Sequence, residues 1–196
     1  MILLLIAGGT YEDFTPRLFG TAAAALALPS LARAQVRLDP KFAPQYVRVR
    51  ADMAPGQIVV LQKSRFLYFI EDPGRALRYG ISVGRTGLEF SGTGVIQAKK
   101  EWPTWRPTDA MIEREPQTYG RFKGNDYVQP GGPGNPLGAR AMYLFQNGVN
   151  TFAAIHGTDN LASIGKAASN GCFRMANDHV MDLYPRIPLG TTVTVL

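Results

Sequence analysis

Leu77, Tyr79, Ile81 and Val83 alternate with Ala76, Arg78, Gly80 and Ser82. An apolar period of two is what a strand with one buried face requires. Short β-branched or aromatic runs recur along the chain, each bounded by Gly, Pro or Asn, so the sequence commits to sheet first. Residues 57–62 and 65–71 read as two strands joined by a turn at Lys63 and Ser64, and 75–83 as a third that Gly84 ends. Further strands are expected at 93–99, 141–145 and 151–155, the last two separated by the turn signal Asn147-Gly148. Gly190 opens a final strand, 191–196, whose apolar end is expected to be tied into the sheet.

Helix has little room. Asn177 reads as the N-cap of a short one in which Val180, Leu183, Tyr184 and Ile187 recur at i, i+3, i+4 and i+7, with Pro185 and Pro188 limiting its length. The balance is mainly β, with one or two short helices near the C-terminal end. Residues 84–140 are irregular: WPTWRPT at 102–108 and PGGPGNPLG at 130–138 carry Pro and Gly at a density that prevents helix and central strand alike. A segment so long inside a compact domain is expected to be a functional loop. Trp102, Trp105 and Tyr127 are candidates for its lid or stacking face, although large aromatics are more often packing residues.

A length of 196 residues suits one ordinary domain, and 45% hydrophobic with 18% charged residues describes a globular protein. The expected organisation is a secretory signal peptide at 1–34, an extended lead-in at 35–55 with Pro40, Pro44 and Pro55, and the domain proper at 56–196. Arg17, the apolar run 18–28 and Ala32-Arg33-Ala34 give the layout of a signal peptide cleaved between Ala34 and Gln35, and eleven apolar or small residues are too few to span a bilayer. Residues 1–13 fit less well, because Glu12 and Asp13 are unusual before an apolar signal core. Cleavage would remove two acidic residues, Glu12 and Asp13, and two basic ones, Arg17 and Arg33, so the formal charge of +6 stays with the remainder. A basic exported domain favours anionic polymers: cell wall, lipid headgroups or, least, nucleic acid, since no Lys/Arg block interleaved with aromatics is present.

One cysteine permits no internal disulfide framework, so Cys172 needs another reason to be there. It lies in Ser169-Asn170-Gly171-Cys172-Phe173-Arg174-Met175, and His156-Gly157-Thr158 directly follows an expected strand. A thiol becomes a useful nucleophile when an adjacent imidazole takes its proton. A bare Cys and His pair also fits a buried free thiol and a core histidine. Zinc fits less well: a structural site wants four ligands, and only Cys172, His156 and His179 supply sulfur or imidazole. His179, in the first turn of the expected helix, reads as a solvated surface residue.

The sequence of HGT, SIGKAASNGCFRM, a short helix and a terminal TTVTVL strand resembles the L,D-transpeptidase catalytic domain, also called the YkuD domain. The likeness extends upstream through IVVLQKSRFLYFI, YGISVGRTG, WRPT and GGPGNPLGARAMYLF, and so covers about residues 56–196. The resemblance implies a β-sandwich or mixed sheet. It also implies that Cys172 attacks, that His156 accepts its proton and that the Gly157 carbonyl orients the imidazole. Ser169 and Arg174 occupy positions linked to shaping the site and binding substrate. Asn170 departs from the histidine of the SHGC motif common in relatives, which is expected to alter local hydrogen bonding more than abolish chemistry. Gly171 permits the tight turn that lets amides near Cys172 face an oxyanion. Arg174 could bind a substrate carboxylate bidentately, or equally well hold the loop through a salt bridge.

The activity implied is acyl transfer on peptidoglycan stem peptides in the periplasm without metal or cofactor, giving 3-to-3 cross-links, with carbapenem acylation of the thiol. The acceptor could instead be an outer-membrane lipoprotein lysine or water. A wall-binding module with a degenerate site is the non-enzymatic alternative, against which the intact Cys172 and His156 speak. Stable membrane insertion after signal cleavage and nucleic acid as partner are not expected.

Overall fold

A computed structural model describes residues 37–196 of the chain. The expected signal peptide, 1–34, lies outside the described residues. In chain order the elements are β1 (Gln45–Arg48), β2 (Ile58–Leu61), β3 (Phe66–Asp72), β4 (Arg75–Gly80), β5 (Val83–Gly84) and β6 (Gly92–Glu101). Two short helices follow, α1 (Asp109–Arg114) and α2 (Pro116–Tyr119), then β7 (Arg140–Gln146), β8 (Val149–Thr158), β9 (Ala167–Ser169), β10 (Phe173–Ala176), α3 (Asn177–Leu183) and β11 (Thr192–Val195).

Nine strands form one mixed sheet in the order β1-β4-β3-β2-β11-β6-β7-β8-β10, and β5 pairs with β9 in a second, two-stranded sheet. The mainly β, mixed-sheet expectation therefore holds. Pairing in the large sheet is antiparallel except at β2–β11 and β8–β10. The main core lies on one face, where Ile58, Leu67, Tyr79, Ile81, Ile96, Met142, Ile155 and Phe173 pack with Val180 and Leu183 of α3. Burying an Ile, Leu or Phe fully contributes about 1.5–3 kcal/mol. A smaller cluster of Val59, Ile70 and Ala76 occupies the other face, covered by Val47, Val49 and Met53.

Several boundaries differ from the sequence reading, for identifiable reasons. The alternating run at 75–83 is two strands, because after Gly80 the chain leaves β3: Ile81 donates to the Arg65 carbonyl and Ser82 bridges Arg174. β8 continues through His156, Gly157 and Thr158 because β10 supplies partners for them, so the histidine lies inside a strand rather than after one. The irregular segment 84–140 does contain helix. Residues 109–114 hold neither Gly nor Pro, Thr108 caps α1 by accepting the Met111 amide at 3.3 Å, and Pro116 fits the first turn of α2. Asn177 is the first helical residue of α3 rather than its N-cap; Ala176 holds the cap position without a side-chain bond. The final strand is tied in as expected, Leu196 donating to the Val60 carbonyl and accepting from Gln62.

Candidate active site

The parallel pairing of β10 with β8 sets Arg174 opposite His156 and Phe173 opposite Ile155. On the other side of β8, β7 sets Ala141 opposite His156 and Tyr143 opposite Ala154. Side chains alternate across a sheet, so Tyr143, Ala154, His156, Arg174 and, two residues before Arg174, Cys172 share one face. All five line a single cleft of about 440 Å³. The sheet thus brings together two motifs that are sixteen residues apart, His156 and Cys172.

His156 is 3% exposed, and its Nδ1 lies 2.7 Å from the Gly157 carbonyl oxygen. A carbonyl only accepts, so Nδ1 carries the hydrogen and Nε2 is left as the basic nitrogen. Burial pushes the imidazole pKa down to about 4, outweighing the Gly157 and Leu137 backbone bonds that favour its charged form; the Arg174 charge adds to the depression. Cys172 is partly exposed, and its thiol donates to the Phe152 carbonyl at 3.7 Å. Desolvation moves the thiol above the ordinary cysteine range, against the lowering effects of the Ala154 backbone and Arg174. At neutral pH the resting pair is therefore a neutral thiol with a neutral imidazole.

That Phe152 carbonyl is placed by unusual backbone. Two residues along β7, from Tyr143 to Phe145, are matched by four along β8, from Ala154 to Asn150. Within this irregularity Phe152 adopts φ +59° although its side chain is 75% exposed. A bulky residue in the left-handed region costs about 1–2 kcal/mol.

The loop before Cys172 is held by Ser169, whose hydroxyl donates to the Cys172 carbonyl at 2.6 Å and accepts the Gly171 amide at 3.2 Å. Ser169 lines the cleft, but its hydroxyl is committed to the loop. Gly171 has φ +117°, a conformation that disfavours any side chain. Asn170 Oδ1 accepts from both Arg85 and Arg114, the latter at 2.9 Å, and Arg85 also pairs with Glu115. This neutral amide thus joins the Cys172 loop to the α1–α2 segment. The guanidinium of Arg174 makes no ion pair among the described residues, so the loop-holding salt bridge is absent there and the group faces the cleft.

Behind the imidazole, Asn177 Oδ1 accepts the Ala139 amide at 2.9 Å and Nδ2 donates to Asp159 at 2.5 Å, while the other Asp159 oxygen accepts the Gly134 amide at 3.0 Å. A Cβ on Gly157 would meet Asn177 Oδ1 at 2.2 Å, which explains a glycine beside the histidine. Of the three lid candidates only Trp105 lines the cleft, with Tyr119 next to it. Tyr127 packs on Phe122 instead, and Trp102 lies outside the cleft near Arg140. His179 is also not the solvated residue expected: its ring packs against Tyr79 at 6.1 Å, its Nδ1 is buried without a partner among the described residues, and desolvation lowers its pKa.

Sequence reasoning passed over Tyr143, Phe152, Arg85, Arg114 and the Asn177–Asp159 pair. The Thr108 cap before 109–114 was a usable signal for α1, and through it for Arg114. The others depend on strand register and have no local signature.

Residues 55–195 match the family model described as the L,D-transpeptidase catalytic domain. The chain is 31% identical over 155 residues to the probable L,D-transpeptidase ErfK/SrfK of Escherichia coli, covering 78% of this chain and 47% of that protein. It is 45% identical over 140 residues to the putative L,D-transpeptidase YqjB of Bacillus subtilis, covering 70% of this chain and 69% of that one. The chain thus spans about half the length of the first of these relatives. Among solved structures, a protein from Brucella melitensis described as a probable carnitine operon oxidoreductase is 57% identical, covers 81% of this chain and 96% of its own, and gives a TM-score of 0.54. That description differs from those of the family model and the curated relatives, which agree with each other.

Proposed function

The chain belongs to the L,D-transpeptidase catalytic domain family, and we propose from that premise that it is an acyltransferase of peptidoglycan stem peptides with Cys172 as nucleophile and His156 as general base. The observation that carries the assignment is the common face: thiol and imidazole line one cleft, and the ring is held with Nε2 basic by the 2.7 Å bond from Nδ1 to Gly157.

Because both groups rest neutral, the proton moves as the sulfur attacks rather than beforehand. Nε2 takes the thiol proton while Sγ forms a bond to the carbonyl carbon joining the third stem residue to its terminal D-Ala. The amide C–N bond then breaks, and the imidazolium gives its proton to the departing D-Ala amine. An amine of a second stem attacks the thioester; it transfers a proton by way of His156 to the leaving sulfur, restoring the thiol and leaving a 3-to-3 cross-link. Since Ser169 takes the Gly171 N–H, the Cys172 amide is the next candidate donor to the oxyanion. Lipoprotein lysine or water in place of the second amine would use the same thioester.

The reading includes export: a cleaved signal peptide would deliver the enzyme to the periplasm. No helix among the described residues is long and apolar enough to cross a membrane. The test is incubation with purified tetrapeptide muropeptides and mass analysis of products. Dimer lacking one D-Ala is expected, whereas tripeptide alone would mean hydrolysis. Either product undiminished in Cys172→Ala would sink the mechanism.

A further inference from the structure

Among the described residues the walls of the cleft carry Arg106, Arg114 and Arg174 and no aspartate or glutamate. Arg106 is occupied, donating to the Phe122 and Tyr127 carbonyls. The other two are at most partly neutralised. Arg174 has no carboxylate partner among the described residues. Arg114 shares the neutral Asn170 oxygen with Arg85 and lies 3.8 Å from Glu115, which is itself held by Arg85. Arg85 and Arg114 thus share one carboxylate, Glu115, while Arg174 adds a guanidinium to the same cleft as Arg114. Burial, with a smaller contribution from repulsion by Arg85, weakens the hold of Arg174 on its proton. Such an excess of cation in a half-enclosed wall is relieved by an anion, and planar guanidiniums suit a carboxylate.

We propose that Arg114, anchored by Asn170 and lining the same cleft as Arg174, forms a carboxylate subsite that makes the enzyme selective for anionic acyl donors. Resting on the transpeptidase reading, this names the donor's charge as the recognised feature and places a specificity residue on α1, outside the Cys172 and His156 motifs. Asn170 acquires a purpose in the same arrangement. One amide oxygen has two lone pairs and can accept both guanidiniums, whereas a neutral imidazole offers a single lone pair and a protonated one offers none. Of the carboxylates on a stem, two flank the bond that breaks, the terminal one of the leaving residue and the one on the side chain of the third residue.

The test is equilibrium binding of synthetic tetrapeptide stems to the Cys172→Ala protein, which separates recognition from turnover. Three stems are compared: both carboxylates free, the terminal one amidated, or the side-chain one amidated. Amidation at the recognised position should weaken binding about ten-fold or more, the scale of one charge-assisted hydrogen bond, and identifies which carboxylate sits there. Adding Arg114→Gln should remove most of that difference, while Arg114→Lys keeps part of it. Equal affinity for all three stems, or discrimination undiminished by Arg114→Gln, would overturn the proposal. Failure of the transpeptidase reading has a different signature: discrimination by charge persists, yet the protein with Cys172 intact converts none of the stems.

Discussion

The side-chain oxygen of Asn177 accepts the backbone amide of Ala139 at 2.9 Å, joining the first turn of α3 to the approach of β7 directly behind the candidate base. The same oxygen packs against the Gly157 peptide, whose carbonyl fixes the imidazole. One polar side chain therefore braces both the strand that carries His156 and the loop that ends beside it.

Removing that brace strands the Ala139 donor. Asn177→Ala should cost about 1–3 kcal/mol, the desolvation penalty of an unsatisfied N–H, and Asn177→Asp should restore little of it, because a carboxylate that still accepts from Ala139 also faces the Asp159 carboxylate to which Nδ2 donated. Chemical denaturation of the three proteins measures this. An alanine variant as stable as the parent would show that the bond contributes nothing.

The depressed His156 pKa fixes a direction for stability against pH. The folded value is about 4 and the unfolded value about 6.5, so between them the unfolded chain binds the proton that the folded one refuses. His156 therefore leaves stability unaffected above pH ~6.5, reduces it as pH falls through the interval, and causes no further loss below ~4. At about 1.36 kcal/mol per pH unit the reduction amounts to about 3 kcal/mol. Unfolding free energies measured from pH 7 to 4 should fall more steeply for the parent than for His156→Gln. Parallel curves would refute the assignment of a buried neutral imidazole.

The left-handed backbone at Phe152 predicts an inverted substitution pattern. Glycine normally destabilises a strand relative to alanine, yet here Phe152→Gly should be more stable than Phe152→Ala by about 1 kcal/mol, because only glycine adopts φ +59° without cost. Thermal unfolding of the pair decides it. Alanine the more stable of the two would mean that the turn is not held in that conformation in solution.

The sheet was legible from residues such as Leu77, Tyr79 and Ile81, whose alternation is local and whose burial follows from it. The histidine and cysteine stood out by scarcity and setting, and both line the cleft. What escaped was set by partners distant in sequence. The end of β8 depends on β10, so nothing near His156 could show that the strand runs through it. Arg85 and Arg114 look like ordinary surface charges until Asn170 is seen to hold them from 85 and 56 positions away. Tyr143 likewise shows its proximity to the thiol only through the register that places it beside Ala154. His179 was misjudged because helical position alone does not show that Tyr79, one hundred residues earlier, covers its ring.

β11 occupies the centre of the large sheet, with β2 on one side and β6 on the other, and it is the last of the described strands along the chain. Within this sheet the block containing β1 to β4 and the block containing β6, β7, β8 and β10 are joined by strand pairing only through it. During folding each block can build its own hairpins early, but the ladder between them stays open until residues 192–195 dock. Assembly of the whole sheet thus waits for that strand to dock, which keeps two strand edges available to wrong partners or to chaperones in the interval.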